Sequence, residues 1–194
     1  MNKKNYLKII DAIANDGYIV IENFFEDSFI KELLESAKSS EYKKAGISNS
    51  ANLHTDNNRR RDKISWIDEK DSIQQHYIKF TNNLKDMLNK ELYIGITYYE
   101  SHFAIYENGD FYEKHLDAFK NSKNRVVTTV LYLNQDWETK DGGELLIYEN
   151  EKIIKKVLPK ANTLVVFLSD KFPHEVLKSN KKRYSIAGWF RVDR

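Results

Sequence analysis

The 194-residue sequence contains no cysteine, which excludes disulfide bridges, thiolate metal sites and cysteine nucleophiles. It has no run approaching the ~18 consecutive apolar residues of a membrane span. Near the N-terminus Lys8 and Asp11 interrupt the stretch from Tyr6 to Ile13, and no signal-peptide pattern follows it. Neither sign of charge dominates: 31 basic and 29 acidic residues leave a formal net charge of +2. That balance predicts neither a nucleic-acid stripe nor a membrane-binding patch. Internal repeats and low-complexity segments are also lacking. What is present, 41% hydrophobic and 13% aromatic residues, is enough to bury a sizeable core in a chain of this length. The expectation is a cytoplasmic, monomeric protein with a single domain over 1–194.

Apolar spacing predicts a helix over 5–14, a strand over 18–21, and a second helix through Ser36 capped by Asp27 or Ser28. A third helix is expected over Ser72–Asn89, with Ile73, Tyr77, Phe80, Leu84 and Leu88 inward. Residues 40–62, rich in Lys, Ser, Asn and Arg, read as a mobile surface loop of functional rather than idle character. From Tyr93 the texture becomes β, with candidate strands at 95–106, 111–116, 125–133, 143–148, 153–157, 162–168, 173–177 and 182–191. Helices first and about eight short strands afterwards predict an α+β fold. Its core is a double-sheet jelly roll (a double-stranded β-helix) over 93–194, with the helices and loop of 1–92 packed on one sheet.

Of the five histidines, His54, His76 and His102 read as surface or hydrogen-bonded residues. His115-Leu116-Asp117 and Pro173-His174-Glu175 stand apart. Two imidazoles and one carboxylate form the facial set of a non-haem Fe(II) site and leave three coordination positions open. Residues 115 and 117 would face the same side of a strand. Arg183, nine residues after His174, is suited to an anionic co-substrate such as 2-oxoglutarate, because its fork of donors matches a carboxylate. The turn between 177 and 182 predicts that the strands bearing His174 and Arg183 are antiparallel neighbours.

Residues 103–191 resemble the hypoxia-sensing prolyl hydroxylases and their bacterial relatives, within the Fe(II)/2-oxoglutarate dioxygenases. The resemblance is carried by Tyr112 to Asp117, Thr129 to Trp137, Gly142-Gly143-Glu144-Leu145, Ser169-Asp170, Pro173 to Val176, and Arg183 to Ile186 with Trp189. Upstream, Arg61 to Ile67 is similar to the family segment before its second core helix. The turn after Tyr106 is shorter and less glycine-rich than in the animal enzymes. With the sequence ending at Arg194 after the last strand, this favours the bacterial branch.

The resemblance implies His115, Asp117 and His174 as ligands of Fe(II). It implies Arg183 and Tyr132 at the distal carboxylate of 2-oxoglutarate, with Tyr106 in the co-substrate pocket. Tyr112 and Trp189 would wall the cavity for a target proline, and Arg125 would contact a protein substrate. Residues 44–62 would be a substrate-covering loop anchored by Arg60 and Asp62. The reaction implied is hydroxylation of a prolyl residue in a protein, with dioxygen consumed, succinate and CO2 as co-products, and ascorbate as reductant. Elongation factor Tu is the implied partner. The alternatives are the same chemistry on a free amino acid or another small molecule, or a silent binding module of the same fold.

Overall fold

The structure, a computed structural model, describes residues 3–49, 52–54, 59–69, 71–118 and 124–192. Helix α1 (Lys3–Asn15) aligns Tyr6, Ile9, Ile10 and Ile13 on one buried stripe, the spacing of an amphipathic helix. Strand β1 (Tyr18–Ile21) follows, then helix α2 (Asp27–Ser39), which buries Ile30, Leu33 and Ala37. The N-cap of α2 is Glu26, and its side chain makes no capping bond. This corrects the expected cap at Asp27 or Ser28. A tertiary contact takes over instead: Asn162 bonds both backbone groups of Phe25 and donates from Nδ2 to Asp27 Oδ1 at 3.1 Å.

The region expected as an open loop contains short strands, β2 (Lys43–Lys44), β3 (Ile47–Asn49) and β4 (Asn52–His54), of which β3 and β4 pair with each other. Residues 50, 51 and 55–58 of that region, among them Asn57 and Asn58, lie outside the described residues, as does the His54 side chain. After β5 (Lys63–Trp66) comes helix α3 (Ser72–Leu92), which runs to Leu92 rather than Asn89 and ends at Tyr93 in the left-handed region, φ 54°. Its predicted inward residues, Ile73, Tyr77, Phe80, Leu84 and Leu88, are all buried. Each such burial contributes roughly 1.5–3 kcal/mol.

The remaining strands are β6 (Tyr98–Tyr106), β7 (Tyr112–His115), β8 (Arg125–Tyr132), β9 (Leu145–Glu149), β10 (Lys152–Val157), β11 (Leu164–Leu168), β12 (His174–Val176) and β13 (Arg183–Arg191). They correspond to the eight expected. A seven-stranded sheet runs β1-β11-β8-β13-β6-β5-β2 and faces a four-stranded sheet β10-β9-β12-β7, with the ladders antiparallel. Period-two alternation divides the large sheet. Phe103, Val127, Leu131, Val166, Ile186 and Phe190 pack on the helices. Ala104, Tyr106, Val130, Tyr132, Val165 and Phe167 pack toward the small sheet. The architecture is the expected double-stranded β-helix backed by helices.

One expectation about it is overturned. Strand β12 lies between β7 and β9, whereas β13 lies between β6 and β8 in the other sheet. They are not hairpin neighbours. The connecting residues make their backbone bonds outward, Gly143 N to Lys178 O at 2.9 Å and Ser179 N to Asp110 O at 3.0 Å, and so cross from one sheet to the other. Among the described residues no helix is long and apolar enough to cross a membrane.

Candidate active site

The two sheets enclose a cavity of about 500 Å³. His115 ends β7, Asp117 sits in the bend beyond it, and His174 opens β12 directly opposite His115 in the ladder. Asp117 is therefore not on the strand, as the two-residue spacing had implied, yet its carboxylate still meets the histidines. His115 Nε2 is 3.7 Å from Asp117 Oδ1, and His174 Nε2 is 3.6 Å from Asp117 Oδ2. One donor atom from each of the three residues falls within 4.8 Å of the others.

The protonation pattern suits a cation. His115 Nδ1 is 2.7 Å from Glu113 O and His174 Nδ1 is 3.1 Å from Phe172 O. A carbonyl only accepts, so each Nδ1 carries the proton and each Nε2 turns a lone pair to the centre, the arrangement typical of metal-binding imidazoles. Burial, reinforced by His174, holds the His115 pKa well below the imidazole range and keeps it neutral. Burial alone would raise Asp117, but in acid the positive charge that the neighbouring histidine rings take up on protonation draws it below the carboxylate range. Two neutral imidazoles and one carboxylate with no thiolate fit Fe(II) chemically.

Across the cavity Arg183 is buried at the start of β13. Its Cζ lies 4.8 Å from the Tyr106 ring and 4.9 Å from the Tyr132 ring. Arg183 donates from Nη1 to Ser185 Oγ at 3.2 Å, but its Nε and the Tyr132 hydroxyl have no partner. A buried cation beside an unsatisfied hydroxyl is costly in isolation and is the environment a bound carboxylate would satisfy. Gly143 makes room for the arginine stem: it holds φ +67°, and a Cβ there would meet Arg183 Cδ at 3.0 Å.

The other expected residues line the same cavity. Tyr112 stacks on His115 with ring centroids 3.6 Å apart. Trp189 carries Arg125 over its face at 3.8 Å, and Arg125 also bonds Glu100 at 3.1 Å. Arg60 grips the buried Asp62 through two nitrogens, at 2.6 and 2.9 Å, and covers the Tyr112 ring at 4.6 Å.

Several lining residues escaped the sequence reading. His102 is buried in the cavity wall between Trp66 and Trp189, with ring centroids 5.3 and 5.4 Å away, and its Nδ1 lies 3.2 Å from Phe103 O, so the hydrogen-bonded rather than the surface expectation describes it. His76 does sit exposed on α3. Thr128 and Ser185 also line the cavity. The available signal was alternation: 102, 104 and 106 share one face of β6, 128 and 130 share one face of β8, and 183, 185, 187 and 189 share one face of β13.

The 2OG-Fe(II) oxygenase superfamily profile matches residues 101–191. The crystal structure of a Pseudomonas putida prolyl-4-hydroxylase matches with a TM-score of 0.89 and 32% identity, covering 97% of this chain and 100% of that one. The chain belongs to the 2OG-Fe(II) oxygenase superfamily, whose chemistry uses Fe(II), 2-oxoglutarate and dioxygen. Within that class its likeness is to prolyl hydroxylases. A Trichoplax adhaerens prolyl hydroxylase in complex with a hypoxia-inducible-factor peptide matches at TM-score 0.84 and 29% identity, over 97% of this chain and 91% of that one. Egl nine homolog 1 of Rattus norvegicus is 33% identical over 142 residues, 68% of this chain but 41% of that protein. The chain thus covers less than half the length of this relative.

Proposed function

We propose that the protein hydroxylates a prolyl residue in a protein substrate. The observation that carries this reading is one cavity that opposes His115, Asp117 and His174 to Arg183, with Tyr132 buried beside the arginine, in a chain similar end to end to a bacterial prolyl-4-hydroxylase. His115, Asp117 and His174 hold Fe(II). Arg183 and Tyr132 bind the distal carboxylate of 2-oxoglutarate, and their unpartnered Nε and hydroxyl support this role. Bound iron supplies the oxidative step, in which 2-oxoglutarate and dioxygen give succinate and CO2 while one oxygen atom enters the proline C–H bond.

The protein's own groups position and exclude water. Tyr106 closes the co-substrate pocket beside Arg183. Tyr112 and Trp189 wall the proline site, Arg125 at the rim contacts the polypeptide, and the Arg60–Asp62 pair anchors the described end of the 44–62 segment beside it. Elongation factor Tu is the candidate substrate, the cytoplasm the setting and ascorbate the reductant that keeps iron ferrous; these rest on the resemblance to bacterial relatives. The protein is expected to act as a monomer, with the whole chain as one catalytic unit.

Purified protein with Fe(II), ascorbate and 2-oxoglutarate should release succinate, and His115→Ala should abolish the release. Comparison of proteins from cells with and without the gene should reveal a mass increase of about 16 Da on a proline, one oxygen atom. Succinate formation with the mark on a free amino acid would instead select the small-molecule reading.

A further inference from the structure

Asp117 lies past the end of β7, in a bend. A metal ligand in such a position needs an anchor other than a strand ladder. The anchor comes from the opposite sheet. Thr128, on β8, donates from Oγ1 to Asp117 Oδ2 at 2.7 Å, and the same Oγ1 is 2.8 Å from Ser169 Oγ, one residue beyond β11. Ser169 is also tied at its backbone, accepting from Ala118 N at 3.3 Å and donating to Val126 O at 3.1 Å. Thr128 is 2% exposed and Ser169 is fully buried, so water does not compete for these bonds.

The proton order follows from the groups. An ionised carboxylate only accepts, so the single Thr128 proton goes to Asp117. The Thr128 oxygen is then left to accept, and Ser169 must be the donor to it. Each bond in such a chain polarises the next, and the last one is charge-assisted.

We propose that Thr128 and Ser169 are positioning residues that aim the Asp117 carboxylate and set the metal affinity of the site. The inference rests on the metal-site reading given above. With Oδ2 engaged by Thr128, Oδ1 is the carboxylate oxygen left to face a metal ion, which biases Asp117 to bind through one oxygen. Single-oxygen ligation preserves the open positions that 2-oxoglutarate and dioxygen require. With the relay cut, the carboxylate is free to rotate and to occupy one of those positions with its second oxygen. The brace also joins Asp117, on the small-sheet side, to β8 and to the residue just past β11 of the large sheet, so the ligand set is held from both halves of the sandwich.

The test is metal binding, read without turnover. Co(II) is titrated into the metal-free full-length protein and followed by its visible absorption, with a thermal melt of each metal-free variant as a folding control. Thr128→Val, which keeps the shape and removes the hydroxyl, should weaken Co(II) binding about 10- to 100-fold, the range for loss of an outer partner of a ligand. Thr128→Ser should recover most of the affinity because it keeps the donor. Ser169→Ala should lose less than Thr128→Val, and the double variant should be no weaker than Thr128→Val alone, since the serine acts through the threonine. The Thr128→Val absorption band should also shift as the carboxylate changes its mode of ligation.

A folded Thr128→Val that binds Co(II) like the unaltered protein, while His115→Ala has lost binding, would overturn the relay. Unchanged binding in His115→Ala as well would instead overturn the metal-site reading itself. If Thr128→Val does not fold, Ser169→Ala carries the decision, and unaltered Co(II) affinity and absorption in that variant refute the proposal.

Discussion

At Tyr132 a phenolic hydroxyl is buried without a hydrogen-bond partner, beside an Arg183 whose Nε is in the same condition. Burial is the main reason the Tyr132 pKa is raised, so the hydroxyl stays protonated and remains a donor. An unsatisfied buried polar group costs about 1–3 kcal/mol. Tyr132→Phe should therefore raise the stability of the ligand-free protein by about 1 kcal/mol in urea unfolding while weakening 2-oxoglutarate binding about tenfold. The two effects should have opposite signs. A variant that loses both stability and affinity would mean that Tyr132 is simply a core aromatic.

Among the elements, α3 shows how far local pattern reaches. Asp71 caps it by accepting from Ile73 N at 2.8 Å, and the same carboxylate accepts from Ser36 of α2 and from Gln74. Burial works to raise the Asp71 pKa, but these bonds outweigh it and lower the value. Its stabilisation is thus present above the unfolded carboxylate value and fades as pH falls through the lower folded one. Asp71→Ala should cost about 1 kcal/mol at neutral pH, measured by urea unfolding. The inward face of α3 and the existence of all eight core strands were legible because 3.6- and 2-residue periodicities record burial directly. The α2 cap was not legible, because its competitor is Asn162, more than a hundred residues away. The pairing of β12 and β13 was misread for a similar reason. A short turn looks like a hairpin unless its outward bonds to Gly143 and Asp110 are known. Within the site, His115, Asp117, His174 and Arg183 could be read from residue type and spacing. His102 and Thr128 could not, since a histidine or threonine on a strand has many structural uses.

For the molecule as a whole, acid stability should carry the signature of His102. Burial, aided by the positive charges of Arg60 and Arg125 and opposed by Asp62, pushes its pKa down to about 4. The unfolded chain titrates near 6.5, so folding favours the neutral ring. This contribution is intact above pH 6.5, falls as the pH drops toward 4, and amounts to roughly 3 kcal/mol over that window. His102→Met should flatten the dependence of melting temperature on pH between 6.5 and 4. An unchanged slope would show that the folded protein accommodates a charged ring at this position. The crossing of residues 177–182 from one sheet to the other has a consequence for co-substrate choice. His174 stands on one sheet and Arg183 on the other, and packed sheets keep a spacing of about 10 Å. On the proposed reading the sandwich would act as a ruler for dicarboxylic acids: a five-carbon oxo acid would reach from a metal held by His174 to Arg183, whereas homologues one methylene shorter or longer would have to forgo one end or prise the sheets apart.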